Sequence, residues 1–149
     1  MKGFDPESLK DVEAECPGFQ ARATARALTR YYNACFKPLG LTAEQFSLLV
    51  GIGAAEGATL VDLAERAGVD PTTLSRNVQN LESRDLVCAT GGRGRAGKRL
   101  ALTTHGRQLV ADAFPVWNGA KAELARRMGD KKLRSARLAM AELAKIAEF

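Results

Sequence analysis

The stretch that decides the fold is residues 58–103, ATLVDLAERAGVDPTTLSRNVQNLESRDLVCATGGRGRAGKRLALT. Apolar residues at helical spacing predict a short helix over residues 60–67, which Gly68 ends in a left-handed turn. Asp70 and Pro71 have the features of an N-cap and a first helical position, so a second helix follows at once. Two strand-like segments around a glycine-rich loop come next. This order of elements predicts a winged helix-turn-helix.

The second helix carries polar residues on one side and apolar residues on the other. Leu74, Val78 and Leu81 are spaced to face a core. Hydroxyl groups near the helix N-terminus suit phosphate oxygens, while Arg76 suits guanine and an amide suits adenine. A solvated helix face would account for polar residues but not for the absence of acids over residues 72–81. The sequence therefore predicts DNA contacts by Thr72, Thr73, Ser75, Arg76, Asn77, Gln79 and Asn80.

The loop between the strand candidates, residues 86–89 and 99–102, is strongly basic. It carries four cations and no acid over residues 91–99. Such a patch is typical of polyanion binding, and arginine favours the narrow minor groove of A·T-rich DNA. The alternative is a solvated loop whose charge serves solubility. We expect at least one of the four cations to contact DNA: Arg93, Arg95, Lys98 and Arg99.

The composition argues against several other classes of protein. The chain has 149 residues, a net charge of +5, and 26% charged and 46% hydrophobic residues, which fits one globular domain with a core. No apolar run is long enough to cross a membrane and the N-terminus has no apolar signal core, so we expect a cytoplasmic protein. His105 is the only histidine, and we find no nucleophile–base pair and no phosphate-binding loop. We therefore predict neither an enzyme nor a metal or cofactor site.

Amphipathic helices are expected on both sides of the winged segment. Residues 19–36 have apolar side chains at three- and four-residue spacing, which predicts a long helix. Residues 42–45 then form a capping box for a helix that is expected to bury Phe46, Leu49 and Val50.

The C-terminal third carries more apolar surface than a small winged core needs. A long helix is expected from Thr103, with Pro115 inside it, and Asp130 is expected to cap a last helix. The apolar residues of that last helix have the spacing of a coiled-coil seam. They are Leu133, Ala136, Met140, Leu143 and Ala147. We favour packing against a second copy of the chain over packing within one domain, because helix-turn-helix proteins normally recognise two half-sites.

Together these motifs resemble the MarR family of bacterial transcription regulators, from about Cys16 to the C-terminus. The resemblance rests on four segments: residues 41–46 (LTAEQF), 63–70 (LAERAGVD), 80–87 (NLESRDLV) and 102–106 (LTTHG). It implies a mainly α-helical winged helix-turn-helix with a small antiparallel β-wing, in a single domain over residues 1–149. Residues 41–103 would form the DNA-binding lobe, and residues 16–40 and 104–149 the dimerisation helices.

The resemblance also implies a function. The protein would be a homodimer that binds double-stranded DNA at a palindromic operator, usually to repress, and that responds to a small aromatic effector or to oxidants. One departure concerns the wing, where the family usually has an aspartate and an arginine and this chain has Gly94 and Ala96. The alternative is a winged-helix protein-interaction module without DNA binding, against which the basic loop and the polar helix argue.

Two further candidate sites have a plain structural alternative. An effector pocket is predicted at Arg26, Arg30, Tyr31, Tyr32, Phe46 and Trp117, although an aromatic stripe at helical spacing also suits a filled core. Cys16 stands before Pro17 at the start of a predicted helix, where the helix dipole favours a thiolate, as in a redox sensor. Cys35 would lie about 28 Å further along a continuous helix, so a bridge within one chain is not expected. An unreactive thiol is the alternative at Cys16.

Overall fold

A computed structural model describes residues 3–94 and 97–148 of the chain. Over these residues it has the expected class, mainly α-helical with one two-stranded antiparallel wing. The elements in order are α1 Pro6–Glu15, α2 Pro17–Phe36, a 3₁₀ turn Lys37–Leu39, α3 Ala43–Ala54, α4 Leu60–Ala67, α5 Pro71–Ser83, β1 Val87–Thr90, β2 Arg99–Leu102, α6 Thr104–Met128 and α7 Asp130–Ile146. None of the described helices is long and apolar enough to span a membrane.

Side-chain caps fix where the central helices begin. The Thr42 hydroxyl accepts from the Gln45 N–H, and the Gln45 side chain accepts from the Thr42 N–H, which is the predicted capping box. Thr59 and Asp62 form a second such box at α4 that the sequence reading had not identified. At α5 the Asp70 carboxylate accepts from the Thr73 N–H, as expected. Each of these bonds satisfies a backbone donor that would otherwise have no partner within its helix.

The hydrophobic core lies where α3, α4, α5 and the two strands meet. Leu49, Ile52, Leu81 and Leu86 are completely shielded from solvent, and α2 and α6 add Phe36 and Ala113 to the same cluster. The Tyr31 hydroxyl of α2 donates to the Ala120 carbonyl of α6 over 2.8 Å, so the two long helices are also joined by a hydrogen bond.

Several details differ from the sequence expectations. Val50 is 41% exposed, and Ile52 is buried instead. Ile52 lies three residues after Leu49 and therefore on the same face of α3, whereas Val50 lies beside that face. Asp130 does not cap α7: it is the first helical residue, and Gly129 precedes it with a φ of +90°. The acidic segment before Cys16, for which we expected no element, forms α1 behind an Asp5 cap. The first strand begins one residue later than expected.

Gly106, the glycine of the LTTHG segment, lies against the backbone of Leu86. A Cβ at this position would overlap the Leu86 carbonyl oxygen and carbon, so only glycine lets α6 approach the chain this closely. Beside it, the Thr103 hydroxyl donates to the Asp85 carbonyl over 2.6 Å and accepts from the Gly106 N–H. The start of α6 is therefore docked directly on the segment between α5 and β1.

Candidate nucleic-acid interface

The turn between α4 and α5 sets the direction of the candidate recognition helix α5. Gly68 ends α4 in the left-handed region, at φ +63°, and its N–H and that of Val69 bond back to carbonyls of α4. α5 is held on the core by Leu74, Val78 and Leu81, all of which are buried as predicted. The opposite side of the helix faces solvent.

The residues predicted to contact DNA do not all have the same exposure. Thr72, Thr73, Arg76, Gln79 and Asn80 are exposed on α5, and Ser75 and Asn77 are half-buried. Apart from the Asp70 cap, α5 contains a single acid, Glu82, near its C-terminal end. The N-terminal half of this helix thus combines hydroxyl groups, an arginine and the positive end of the helix dipole, a combination suited to an anionic partner.

Two of these residues also line a cleft. Thr73 and Asn77 border a space of about 500 Å³ between α3, α4 and α5, together with Leu48, Arg66 and Val69 among others. The cleft lies directly beside the candidate recognition helix. A small molecule bound there would touch the same helix that carries the predicted DNA contacts.

Asn80 is engaged within the protein. Its Oδ1 accepts from Gln45 Nε2 over 3.1 Å, which joins α5 to the N-terminus of α3. Because a bidentate amide pair with adenine uses the oxygen as well as the nitrogen, this bond competes with the adenine contact predicted for Asn80. The bond to Gln45 was not foreseen, since it joins residues 35 positions apart.

The wing is a short hairpin with its base fixed to the lobe. Strand β1 pairs with β2 in antiparallel register, from Val87 opposite Leu102 to Thr90 opposite Arg99. The Arg99 Nη1 donates to the Gly57 carbonyl over 2.9 Å, which occupies one of its five donors and ties the base of the wing to the turn before α4.

The other predicted wing cations lie nearer the tip of the hairpin. Arg93 and Lys98 are exposed. Arg95 lies outside the described residues, so its predicted contact has no structural counterpart here.

Three of the four predicted aromatic residues belong to one chain of ring contacts that includes Phe36. The Tyr31 and Tyr32 rings lie 5.3 Å apart, Tyr32 stacks on Phe36 at 6.1 Å, and Phe36 contacts Phe46 at 4.5 Å. Phe46 is buried in the core.

Trp117 packs separately from that chain of rings. It contacts Phe114, and Lys121 Nζ lies 4.3 Å from its ring centroid. Arg26 and Arg30 are exposed on α2. The effector pocket at these six positions stays a prediction, because other residues line both the cleft beside α5 and a second cleft between α6 and α7.

Cys16 occupies the predicted place at the start of a helix. It is the N-cap residue of α2, and its own N–H bonds to the Val12 carbonyl at the end of α1. Cys16, Cys35 and Cys88 are all free thiols, and Cys16 is partly exposed. Its redox role stays a prediction. Among the described residues, no cluster of histidine, cysteine, aspartate and glutamate could hold a metal ion.

Comparison with known proteins identifies what this architecture is similar to. The model of the MarR family matches residues 39–96, which contain the helix-turn-helix and most of the wing. Comparison with curated proteins gave no match. Among solved structures, the M. tuberculosis transcriptional regulator MosR in complex with DNA is 34% identical, with a TM-score of 0.75, and the alignment covers 91% of this chain and all of MosR.

Two further structures are informative. The transcriptional repressor CouR, bound to a DNA duplex, is 27% identical with a TM-score of 0.77, and the alignment covers 92% of this chain and 96% of CouR. A MarR family protein of M. tuberculosis, in complex with salicylic acid, is 26% identical with a TM-score of 0.65, and the alignment covers 85% of this chain and 95% of that protein. The family model, the near-complete match to MosR and the winged architecture together show that this chain belongs to the MarR family of transcription regulators.

Proposed function

We propose that this protein is a DNA-binding transcriptional repressor that acts as a homodimer on a palindromic operator, and that a small aromatic effector controls its affinity. The observation that carries the proposal is α5. Its apolar face is buried in the core, while Arg76 and Gln79 are exposed in a segment without acids. A basic wing beside that helix adds the charge expected for contact with phosphates.

The relatives support DNA as the partner. MosR and CouR were both crystallised with DNA, and MosR aligns with this chain over its full length. In this proposal Arg76 recognises a base in the major groove, and the wing cations contact the backbone or the minor groove. Two copies of α5 would have to lie about 34 Å apart to enter successive major grooves.

A homodimer would bring those two helices together. In this proposal residues 16–40 and 104–149 form the interface, and residues 41–103 form the DNA-binding lobe of the single domain. The apolar seam of α7 supports the assignment, because Met140 and Leu143 are 47% and 51% exposed in one protomer.

The effector has two competing locations. One is the aromatic set on α2, α3 and α6, with Arg26 or Arg30 available for a carboxylate, and the other is the cleft beside α5, which contains Arg66. The salicylic acid complex of the 26% identical relative supports an aromatic acid as the ligand class. Benzoate bound at the first location would quench Trp117 emission, whereas benzoate in the cleft would leave it unchanged.

The test of the proposed function compares two matched variants, Arg76→Ala and Arg93→Ala, which remove the same charge from α5 and from the wing. A preferred duplex is first selected with the wild type from random sequences, and affinities for it and for random DNA are then measured at several salt concentrations. Arg76→Ala is expected to lose about 1–3 kcal/mol on the selected duplex and little on random DNA. Arg93→Ala is expected to weaken both and to reduce the salt slope by about 1.

Failure would take a recognisable form. A wild type that binds no duplex in a salt-dependent way would support the protein-interaction alternative. Equal losses by both variants on both kinds of DNA would refute the assignment of base recognition to α5.

A further inference from the structure

Gln45 uses both polar atoms of its side chain to connect α3 with α5 and with Arg84. Its Oε1 accepts from the Thr42 N–H over 3.0 Å and from Arg84 Nη1 over 3.3 Å. Its Nε2 donates to Asn80 Oδ1 over 3.1 Å. One amide therefore joins the N-terminus of α3 to the C-terminal half of α5 and to the residue that follows α5.

The same end of α3 is also tied to the long helix α2. Asn33 Oδ1 accepts from the Ala43 N–H over 2.7 Å, at the first residue of α3. A hydrogen-bonded path thus runs from Asn33 on α2, through the first turn of α3, to Asn80 on α5. We call these residues the α3 joint: Asn33, Thr42, Ala43, Gln45, Asn80 and Arg84.

The apolar contacts of α5 leave a degree of freedom that the joint removes. Leu74, Val78 and Leu81 form one stripe, and a stripe fixes the depth of a helix better than its rotation about that stripe. A polar bond from the side of the helix to a neighbouring helix fixes the rotation as well. The bond between Gln45 and Asn80 has this position, four residues after Arg76 on the same helix.

We propose that Gln45 is a positioning residue for DNA recognition, and that Asn80 acts through Gln45 and not by reading a base. Through the α3 joint, Gln45 keeps α5 in a fixed orientation relative to α2. In a dimer that sets the spacing of the two copies of α5, this orientation places Arg76 within reach of its base. The inference rests on the proposed DNA-binding function, and it gives Asn80 a role other than the predicted contact with a base.

The experiment is a double-mutant cycle with Gln45→Met, Asn80→Ala and the double variant, and Thr42→Ala is the matched control. Thr42→Ala removes the hydroxyl of the capping box but leaves the bonds from Gln45 to Asn80 and Arg84. The probes are the duplex selected by the wild type and a random duplex. Thermal unfolding and amide hydrogen exchange of α5 are measured on the free protein.

Gln45→Met and Asn80→Ala are each expected to lower the ratio of specific to random affinity by up to about tenfold, the effect of losing one hydrogen bond of ordinary net strength. The double variant is expected to lose no more than Gln45→Met alone, because the bond that Asn80→Ala breaks is already absent from Gln45→Met. Gln45→Met is expected to speed amide exchange in residues 79–83 and to tolerate altered half-site spacing. Thr42→Ala is expected to lower the melting temperature without changing the affinity ratio.

Other outcomes overturn the inference. Additive losses, or a loss in Asn80→Ala with none in Gln45→Met, would mean that Asn80 contacts DNA directly. An equal loss of the affinity ratio in Thr42→Ala would mean that Gln45 acts only as a helix cap. A wild type that selects no duplex overturns the proposed function and this inference with it, and is distinct from a selective wild type whose variants behave additively.

Discussion

The winged lobe, residues 41–103, and the terminal helices α1, α2, α6 and α7 differ in how well one chain buries them. Of the buried apolar residues in the described part of the chain, all but Phe36, Ala113 and Ala120 belong to the lobe. Helices α1 and α7 bury none of their described residues. Every large exposed hydrophobic residue of the lobe is a valine, at 41% or less.

The terminal helices have exposed apolar residues that are larger than valine and that have a larger exposed fraction. In α7, Ile146 is 70% exposed, Leu143 is 51% exposed and Met140 is 47% exposed, and Phe114 of α6 is 52% exposed. Helices α6 and α7 also leave a cleft of about 580 Å³ between them, lined by Leu133 and by basic residues such as Arg134 and Arg137. The lobe therefore buries most of its own apolar residues, whereas the terminal helices leave large ones exposed, and we propose that a second copy of the chain covers them.

The largest expected effect is on the association of two chains. Leu143→Asp places a carboxylate in the predicted seam of α7, where the partner chain would bury it. We expect a loss of about 3 kcal/mol or more in the free energy of dimerisation, because an unpaired charge is costly in an apolar contact. Sedimentation at micromolar concentration would measure it.

Leu138→Asp is the matched control for this change. Leu138 lies on the side of α7 opposite the seam, so the same substitution there is expected to leave the dimer intact. Dissociation by both variants would place the interface elsewhere on α7. A stable wild-type monomer would mean that no second copy covers the exposed apolar residues of the terminal helices.

The second effect is at the junction between the two regions. Gly106→Ala forces a methyl group onto the Leu86 backbone, and we expect the free energy of unfolding to fall by about 1–3 kcal/mol. Gly119→Ala on the same helix adds its methyl group to open space and is expected to be neutral or stabilising by up to about 1 kcal/mol. Thermal or urea unfolding would compare them, and equal melting temperatures would argue against the close docking of α6.

The smallest effect concerns charge at the end of α6. The side chains of Arg126 and Arg127 donate to the Glu123 carboxylate over 2.6–2.7 Å, chiefly from Arg126, and lower the pKa of Glu123 to about 2. Because this pKa is lower in the folded than in the unfolded chain, the associated stabilisation is complete above about pH 4.5 and is lost as the pH falls towards 2.

A carboxyl titration by NMR would measure this pKa directly. Glu123→Gln is expected to remove that part of the acid dependence, and salt is expected to weaken it because the pair is exposed. An ordinary pKa for Glu123 would mean that Arg126 and Arg127 are available to a partner.

Local sequence signals predicted most of the lobe. The Thr42 and Asp70 caps and the left-handed Gly68 are where the sequence placed them, because a cap depends on residues within one helical turn. The burial of Ile52 instead of Val50 was not predicted, because it depends on distant segments. Which of the two residues faces inward is decided only when the neighbouring elements pack against α3. The hydrogen bond that Asn80 accepts could not be predicted, because its donor Gln45 is 35 residues away.

The sequence by itself determined the class of fold, the order of its helices and strands from α2 onwards and the family, because periodicity, caps and glycine turns are short-range properties of a chain. Only the tertiary structure decided which polar residues of α5 are engaged within the protein, why Gly106 must lack a side chain, and that Arg99 anchors the wing to Gly57. These depend on backbones and side chains that meet after distant segments have packed. A pattern of residue types specifies which face of a helix turns inward, but the groups that it meets there are set by the whole fold.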